Sequence, residues 1–137
     1  ARTFSTLIPR TVDVYDLYNG IDSIQKTAEI TAPFPSVGDD FGFSVALYED
    51  YLLIGAPGSN NGHGAAYLYH KNYAGNWGLI KTYENPNKEV FQKYSQKFGY
   101  SVPLNDKYVV IAKPVYNVRN VFIYEPRRIF CCYHSKK

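Results

Sequence analysis

At 137 residues the chain has room for one hydrophobic core, and its 14 Tyr, 8 Phe and 1 Trp favour pleated, half-buried surfaces, so an all-β fold is expected. Fifteen Lys and Arg against 12 Asp and Glu leave a formal charge of +3. The basic residues are scattered apart from Lys136 and Lys137, which argues against nucleic-acid binding, and no apolar run approaches the roughly 20 residues of a membrane-spanning helix. No signal peptide opens the chain and Met is absent, so a processed or partial product is expected.

Residues 11–17, TVDVYDL, alternate Val12, Val14 and Asp16 on one face with Asp13 and Tyr15 on the other, which predicts a strand. Asn19-Gly20 tolerates the positive φ of a tight hairpin turn, and residues 23–30 form the return strand. Residues 32–40, APFPSVGDD, hold two prolines, cannot pair continuously in a sheet and are predicted to be a connection. A new unit starts at Phe41, with a strand over 42–47, a turn at Glu49-Asp50 and an apolar strand over 51–55 of the kind buried on both faces. Residues 57–64, PGSNNGHG, read as a loop, and strands follow over 65–70 and 77–83 around a turn at 72–76. These four strands are expected to make one antiparallel sheet. After a connection over 85–96 with room for a short helical turn, strands are predicted over 99–104, 107–112 and 120–124, and 129–133 is a further candidate.

Residues 41–57, FGFSVALYEDYLLIGAP, return 57 residues later as 98–114, FGYSVPLNDKYVVIAKP, with eight of seventeen positions identical. A period of this size marks a solenoid, propeller or array, in which each unit buries its apolar face only by stacking on a neighbour. Residues 12–30 resemble 65–84, so the chain holds half a unit, a whole one and most of a third. A Phe-Gly pair would set a large ring between sheets beside a residue that lets backbone approach, and Gly-Ala-Pro would end a buried strand.

Phe41, Gly42 and Ser44, the run Gly55, Ala56 and Pro57, Gly64, and the second copy Phe98, Gly99, Ser101 and Pro114 resemble the FG-GAP repeats of integrin-α-type β-propellers. The likeness is to the variant with a short turn between the first two strands. It implies an all-β fold of antiparallel four-stranded blades, a partial β-propeller of about two to two and a half blades. The repeat region is expected over 11–126, as a half blade at 11–31, a complete blade at 41–84 and a partial blade at 98–126, after an extension at 1–10 and before a tail at 127–137. The family also implies an extracellular or cell-surface location. Ala112-Lys113 departs from the pattern at the place of Gly55-Ala56, so the third unit is expected to pack less closely or against a different neighbour. Many FG-GAP repeats carry a calcium loop between the first two strands, but 48–50 and 105–107 supply too few oxygens for that ion.

No catalytic, cofactor-binding or metal-binding residue is predicted. His63, His70 and His134 lack a second ligand at metal spacing, Ser44 and Ser101 belong to the repeat rather than to Gly-x-Ser-x-Gly, and there is no phosphate-cradling glycine loop. Asp39-Asp40 and Asn60-Asn61 read as turn residues in preference to ligands of a weakly held ion. The tyrosines read first as cross-strand packing, with Tyr67, Tyr69 and Tyr15 as a ladder facing a neighbouring sheet or a partner.

Closed propellers need about 4–8 blades, so this ring cannot close within the chain. Other copies of the chain, or the remainder of a longer propeller, are the expected partners. Phe4, Thr6 and Ile8 alternate along the leading segment and are candidates for a donated strand. Cys131 and Cys132 are adjacent, with Cα atoms closer (about 3.8 Å) than a disulfide prefers (about 5.5–6 Å), which disfavours a bridge between them. They read either as idle thiols or as interchain contacts. Ser59, Asn60, Asn61 and His63 form a candidate loop for a glycan or protein ligand. The expectation is a non-enzymatic structural or adhesive protein, with a ligand-recognition module as the alternative.

Overall fold

In the computed structural model of the protein the described residues are 10–17, 23–86, 96–115 and 118–125. They build three antiparallel sheets in chain order. The first pairs β1 (Thr11–Leu17) with β2 (Ile24–Thr31). The second has four strands in sequential order: β3 (Ser44–Tyr48), β4 (Tyr51–Ala56), β5 (Ala65–Lys71) and β6 (Trp77–Glu84). The third pairs β7 (Val109–Val115) with β8 (Val118–Tyr124). The fold is all-β, as expected from the aromatic composition.

Two apolar cores alternate with the sheets. Ile30, with Val12 and Val14 packed beside it, meets Leu52, Ile54, Tyr67 and Tyr69 between the first and second sheets. Leu53, Ala66 and Leu68, on the opposite face of the second sheet, meet Phe98, Val109, Ile111 and Phe122 of the third. The central strands of the second sheet, β4 and β5, are therefore covered on both sides, whereas Val45 and Leu47 of β3 stay exposed. That is why β4 and the first five residues of β5 are buried almost without interruption, while β1, covered on one side, alternates between exposed and half-buried. The tyrosine ladder divides accordingly: Tyr67 and Tyr69 are buried in the first core, and Tyr15 is 53 % exposed on the outer face of the first sheet.

The sequence repeat is a repeat of register. Ser44 pairs with Gly55 and Leu47 with Leu52, and 57 residues on Ser101 bridges Ala112 and Leu104 bridges Val109. Ile54 pairs with Tyr67 as Ile111 pairs with Phe122. The β-bulge between Val14 and Tyr15 in the first sheet recurs between Leu68 and Tyr69 in the second. β1 and β2 are thus the counterparts of β5 and β6, and β7 and β8 those of β4 and β5.

Several expected elements differ. The strand predicted over 99–104 is reduced to the two isolated bridges at Ser101 and Leu104. The Val110 amide donates to the Pro103 carbonyl at 3.0 Å, but proline has no N–H to return the bond, whereas Ala46 occupies this place in the second sheet. The strand predicted from 42 starts at Ser44, because Gly42 turns the chain with φ of +84°. The stretch 57–64 holds a tight turn, α1 (Ser59–Gly62), in which Asn60 and Asn61 are left-handed (φ 53° and 58°), a conformation that asparagine tolerates better than most residues. The Asn19-Gly20 turn, most of the 85–96 connection and the 129–133 strand lie outside the described residues.

Candidate functional site

The motif residues form the seats by which one sheet docks on the next. Phe41 and Phe98 are both buried, and each ring meets an aromatic ring on the strand after the apolar one: Phe41 meets Tyr67 at 5.7 Å and Phe98 meets Phe122 at 5.3 Å. The Gly42 and Gly99 amides donate to the carbonyls of the repeat-equivalent residues Gly55 and Ala112. Gly99 also lies against the second sheet. Its carbonyl accepts from the Ser44 hydroxyl at 2.9 Å and fills the space a Cβ on Gly55 would need. A Cβ on Gly99 would overlap the Ala65 carbonyl, and one on Gly64 would overlap the Phe98 backbone. Ala56 and Pro57 are buried at the end of β4, while their counterparts are the buried Lys113 and the half-buried Pro114. Ser101 is exposed.

The 58–64 turn ties three segments together. The Gly58 amide donates to Asp39, the Gln96 and Lys97 amides donate to Gly62, and the Phe98 amide donates to His63. The four residues predicted to form one ligand loop separate here. His63 directs its Nδ1 to Gln96 Oε1 at 3.4 Å, and that same oxygen accepts a hydrogen bond from the Asn85 side-chain Nδ2. Ser59, Asn60 and Asn61 instead line a cavity of about 510 Å³. Its other walls come from the 33–39 connection, through Phe34 and Asp39, and from β5 and β6, through Tyr67, Leu79, Thr82 and Glu84. Sequence reading did not collect these residues, since they come from three separated segments. The cross-strand pairing of Tyr67 with Thr82 is the one signal that a predicted register would have offered.

Burial pushes the Tyr67 phenol above its ordinary pKa; a hydrogen bond with Ser59 opposes this, and the carboxylates of Asp39 and Glu84 add to it. The Tyr69 phenol, which donates to the Thr31 carbonyl at 3.3 Å, is pushed up to about 12 by burial, with Tyr67 beside it. At neutral pH both are hydrogen-bonding alcohols. Asp39 accepts from the Ser36 amide at 2.7 Å, and Asp40 takes a φ of 53° and lies 3.5 Å from Arg10, so both serve their turns. Among the described residues no group of three or more His, Cys, Asp or Glu is placed to hold a metal ion, and no helix is long and apolar enough to cross a membrane.

Among the described residues the outer faces of the first and third sheets stay open. On the outer face of the first sheet Tyr15, Leu17 and Ile24 are 53, 65 and 60 % exposed, and on that of the third sheet Val121 and Ile123 are each 44 % exposed. The interchain candidates Phe4, Thr6, Ile8, Cys131 and Cys132 lie outside the described residues.

No curated protein and no solved structure matches the chain. Residues 24–69 match the FG-GAP repeat family. The matched stretch runs from β2 of the first sheet through β5 of the second, so the family unit is phased across the contact between two sheets and contains the Phe41-Gly42 turn that makes it. The chain therefore carries an FG-GAP repeat at residues 24–69, set in an all-β array of antiparallel sheets.

Proposed function

We propose that the protein is a non-enzymatic, extracellular structural or adhesive protein that acts through protein–protein contacts as a subunit of an oligomer or filament. The observation that carries this reading is the unequal completeness of the three sheets. Among the described residues a four-stranded sheet, whose central strands β4 and β5 are buried on both faces, is flanked by one sheet of two strands and another of two strands with isolated bridges, each with exposed apolar side chains. Repeat units reach full burial only by stacking, so the outer units call for a partner: other copies of the chain, or the remainder of a longer propeller. The extension at 1–10, through Phe4, Thr6 and Ile8, is the proposed donated strand, and Cys131 and Cys132 are proposed interchain contacts. Native mass spectrometry and sedimentation test the reading, with concentration-dependent association expected. A monomer at all concentrations would sink it. Removal of residues 1–9 tests strand donation and is expected to reduce association while leaving the far-ultraviolet spectrum of the sheets in place.

A second reading, recognition of a glycan or protein ligand, is favoured by the cavity beside Asn60 and Asn61. Its volume falls in the range of small-molecule sites, and its lining mixes carboxylate, amide and hydroxyl groups with the exposed Phe34 ring. Titration of isotope-labelled protein with neutral oligosaccharides and with peptides should move the amide signals of Phe34, Asn60 and Asn61. Saturating ligand without such movement would dismiss this reading.

A further inference from the structure

The two inner contacts of the stack show what covers each kind of face, and a single residue shows why the pattern cannot continue unchanged. The face of the second sheet that carries Leu53 and Leu68 is fully buried by the third unit, whose Phe98-Gly99 turn enters over Gly55. By register, the outer face of the third sheet is the same face one unit on. Val110 stands for Leu53, Ile123 for Leu68 and Ala112 for Gly55.

The last of these exchanges closes the seat. A Cβ at Gly55 would overlap both the incoming Gly99 carbonyl and the Ser44 hydroxyl that holds it. Ala112 carries that Cβ. A further Phe-Gly turn cannot enter in the manner of Phe98-Gly99, and Ser101 cannot hold the rotamer that Ser44 uses to bind it. The outer face of the third sheet nevertheless keeps the apolar side chains of a covered face. Its occupant must bring an apolar sheet face without a Phe-Gly turn.

Among the described residues the first sheet answers to that description. It consists of the counterparts of β5 and β6, without the two strands that a Phe-Gly turn introduces. Its outer face presents Tyr15, Leu17 and Ile24 side by side, with Leu17 and Ile24 directly paired across the strands. The charges on the same sheet are matched locally: Lys26 lies 3.0 Å from Asp13 and 2.6 Å from Glu29. A partner covering the stripe would not strand a lone lysine.

Resting on the reading of the protein as an assembling subunit, we propose that copies associate head to tail, with the outer face of β1 and β2 in one copy covering the outer face of β7 and β8 in the next. The contact is heterologous. It leaves one open face at each end of a growing assembly, which closes into a ring or extends as a filament according to the rotation per copy.

Complementation between two blocked variants tests this. Leu17→Glu and Ile123→Glu each place a charge on one of the two faces, at exposed positions where far-ultraviolet circular dichroism can verify folding; Tyr15→Glu and Val121→Glu serve if either does not fold. Wild-type protein is expected to associate with rising concentration in sedimentation velocity. Each variant alone is expected to be monomeric, and an equimolar mixture is expected to give a dimer and no larger species, because each variant keeps the face that the other has lost. A monomeric wild type overturns both the inference and the reading beneath it. A wild type that associates together with variants that associate equally well overturns the assigned faces and leaves the reading standing, and a mixture that stays monomeric overturns the head-to-tail arrangement.

Discussion

The second and third sheets are built from nearly the same words, and they end up with different surroundings. In the second sheet Ala46, which has an N–H to give, pairs with Leu53, and Gly55 leaves a flat seat that a neighbouring backbone fills. In the third, Pro103 and Ala112 hold those positions, so the inner strand shrinks to two bridges and the seat is shut. Identity at eight of seventeen positions preserves the register. Two exchanges, one removing a hydrogen-bond donor and one adding a methyl group, decide whether another unit can dock.

The sharpest way to break this comparison is to truncate equivalent side chains in the two sheets. Leu68 is fully buried and Ile123 is 44 % exposed, although they occupy the same place in the repeat. Leu68→Ala is expected to cost about 3–5 kcal/mol through lost transfer energy and a cavity that neighbouring sheets cannot collapse. Ile123→Ala in the monomer is expected to cost about 1 kcal/mol or less, since much of its surface is already in water. Urea denaturation of dilute protein reads both. Equal losses would mean that the outer face of the third sheet is covered within the chain.

Exchanging the seat residues comes next in size. Gly55→Ala sets a methyl against the Gly99 carbonyl and the Ser44 oxygen. Because the first of these is backbone, relief requires a shift of the whole third unit, and a loss of about 3 kcal/mol is expected, the upper end of overpacking. The reciprocal Ala112→Gly relieves nothing within one copy and adds backbone freedom to the unfolded chain, at about 0.5–1 kcal/mol. Chemical denaturation that placed the two variants within error of each other would show that the seat is not a close contact.

Alkaline pH probes the first core, where two buried phenols predict a penalty. The folded state holds the Tyr69 phenol neutral up to about 12, while the unfolded chain releases the proton near 10. Above pH 10 the unfolded state therefore binds fewer protons than the folded state, so rising pH favours unfolding. The contribution of this phenol should be constant below pH 10 and fall between pH 10 and 12, with Tyr67 contributing in the same direction. Tyr69→Phe should cost about 0.5–1 kcal/mol at neutral pH by removing the bond to Thr31, and should lessen the alkaline slope. A slope unchanged in that variant would assign the proton release on unfolding elsewhere.

What the sequence reveals and what it conceals divide along the same physical line. Strands such as β4, whose Leu52, Leu53 and Ile54 are apolar in succession, announce themselves because burial on both faces leaves no polar position. The repeat likewise exposes Phe41, Gly42 and Gly55 as architecture, since only packing recurs with such a period. The cavity is another matter. Phe34, Asn60 and Thr82 are ordinary loop and strand-surface residues whose proximity comes from the docking of three segments, and no local pattern encodes that. The inner strand of the third sheet falls short of its expected span for a different reason: the repeat preserves its register, but Pro103 lies where a donor is needed.

Pro103→Ala isolates that last cause and is expected to have the smallest energetic effect. The substitution supplies an N–H opposite the Val110 carbonyl, worth about 0.5–1.5 kcal/mol when the bond forms. It also frees the unfolded chain of a proline, which costs about 0.4–1 kcal/mol. These nearly offset, so denaturation should register little change. Hydrogen exchange separates them: if the missing donor is what breaks the strand, the new amide at position 103 should be protected, and protection of Val110 should rise with it. An unprotected amide at 103 would mean that the 99–104 strand is interrupted by its surroundings, with the closed seat at Ala112 the first of those to alter.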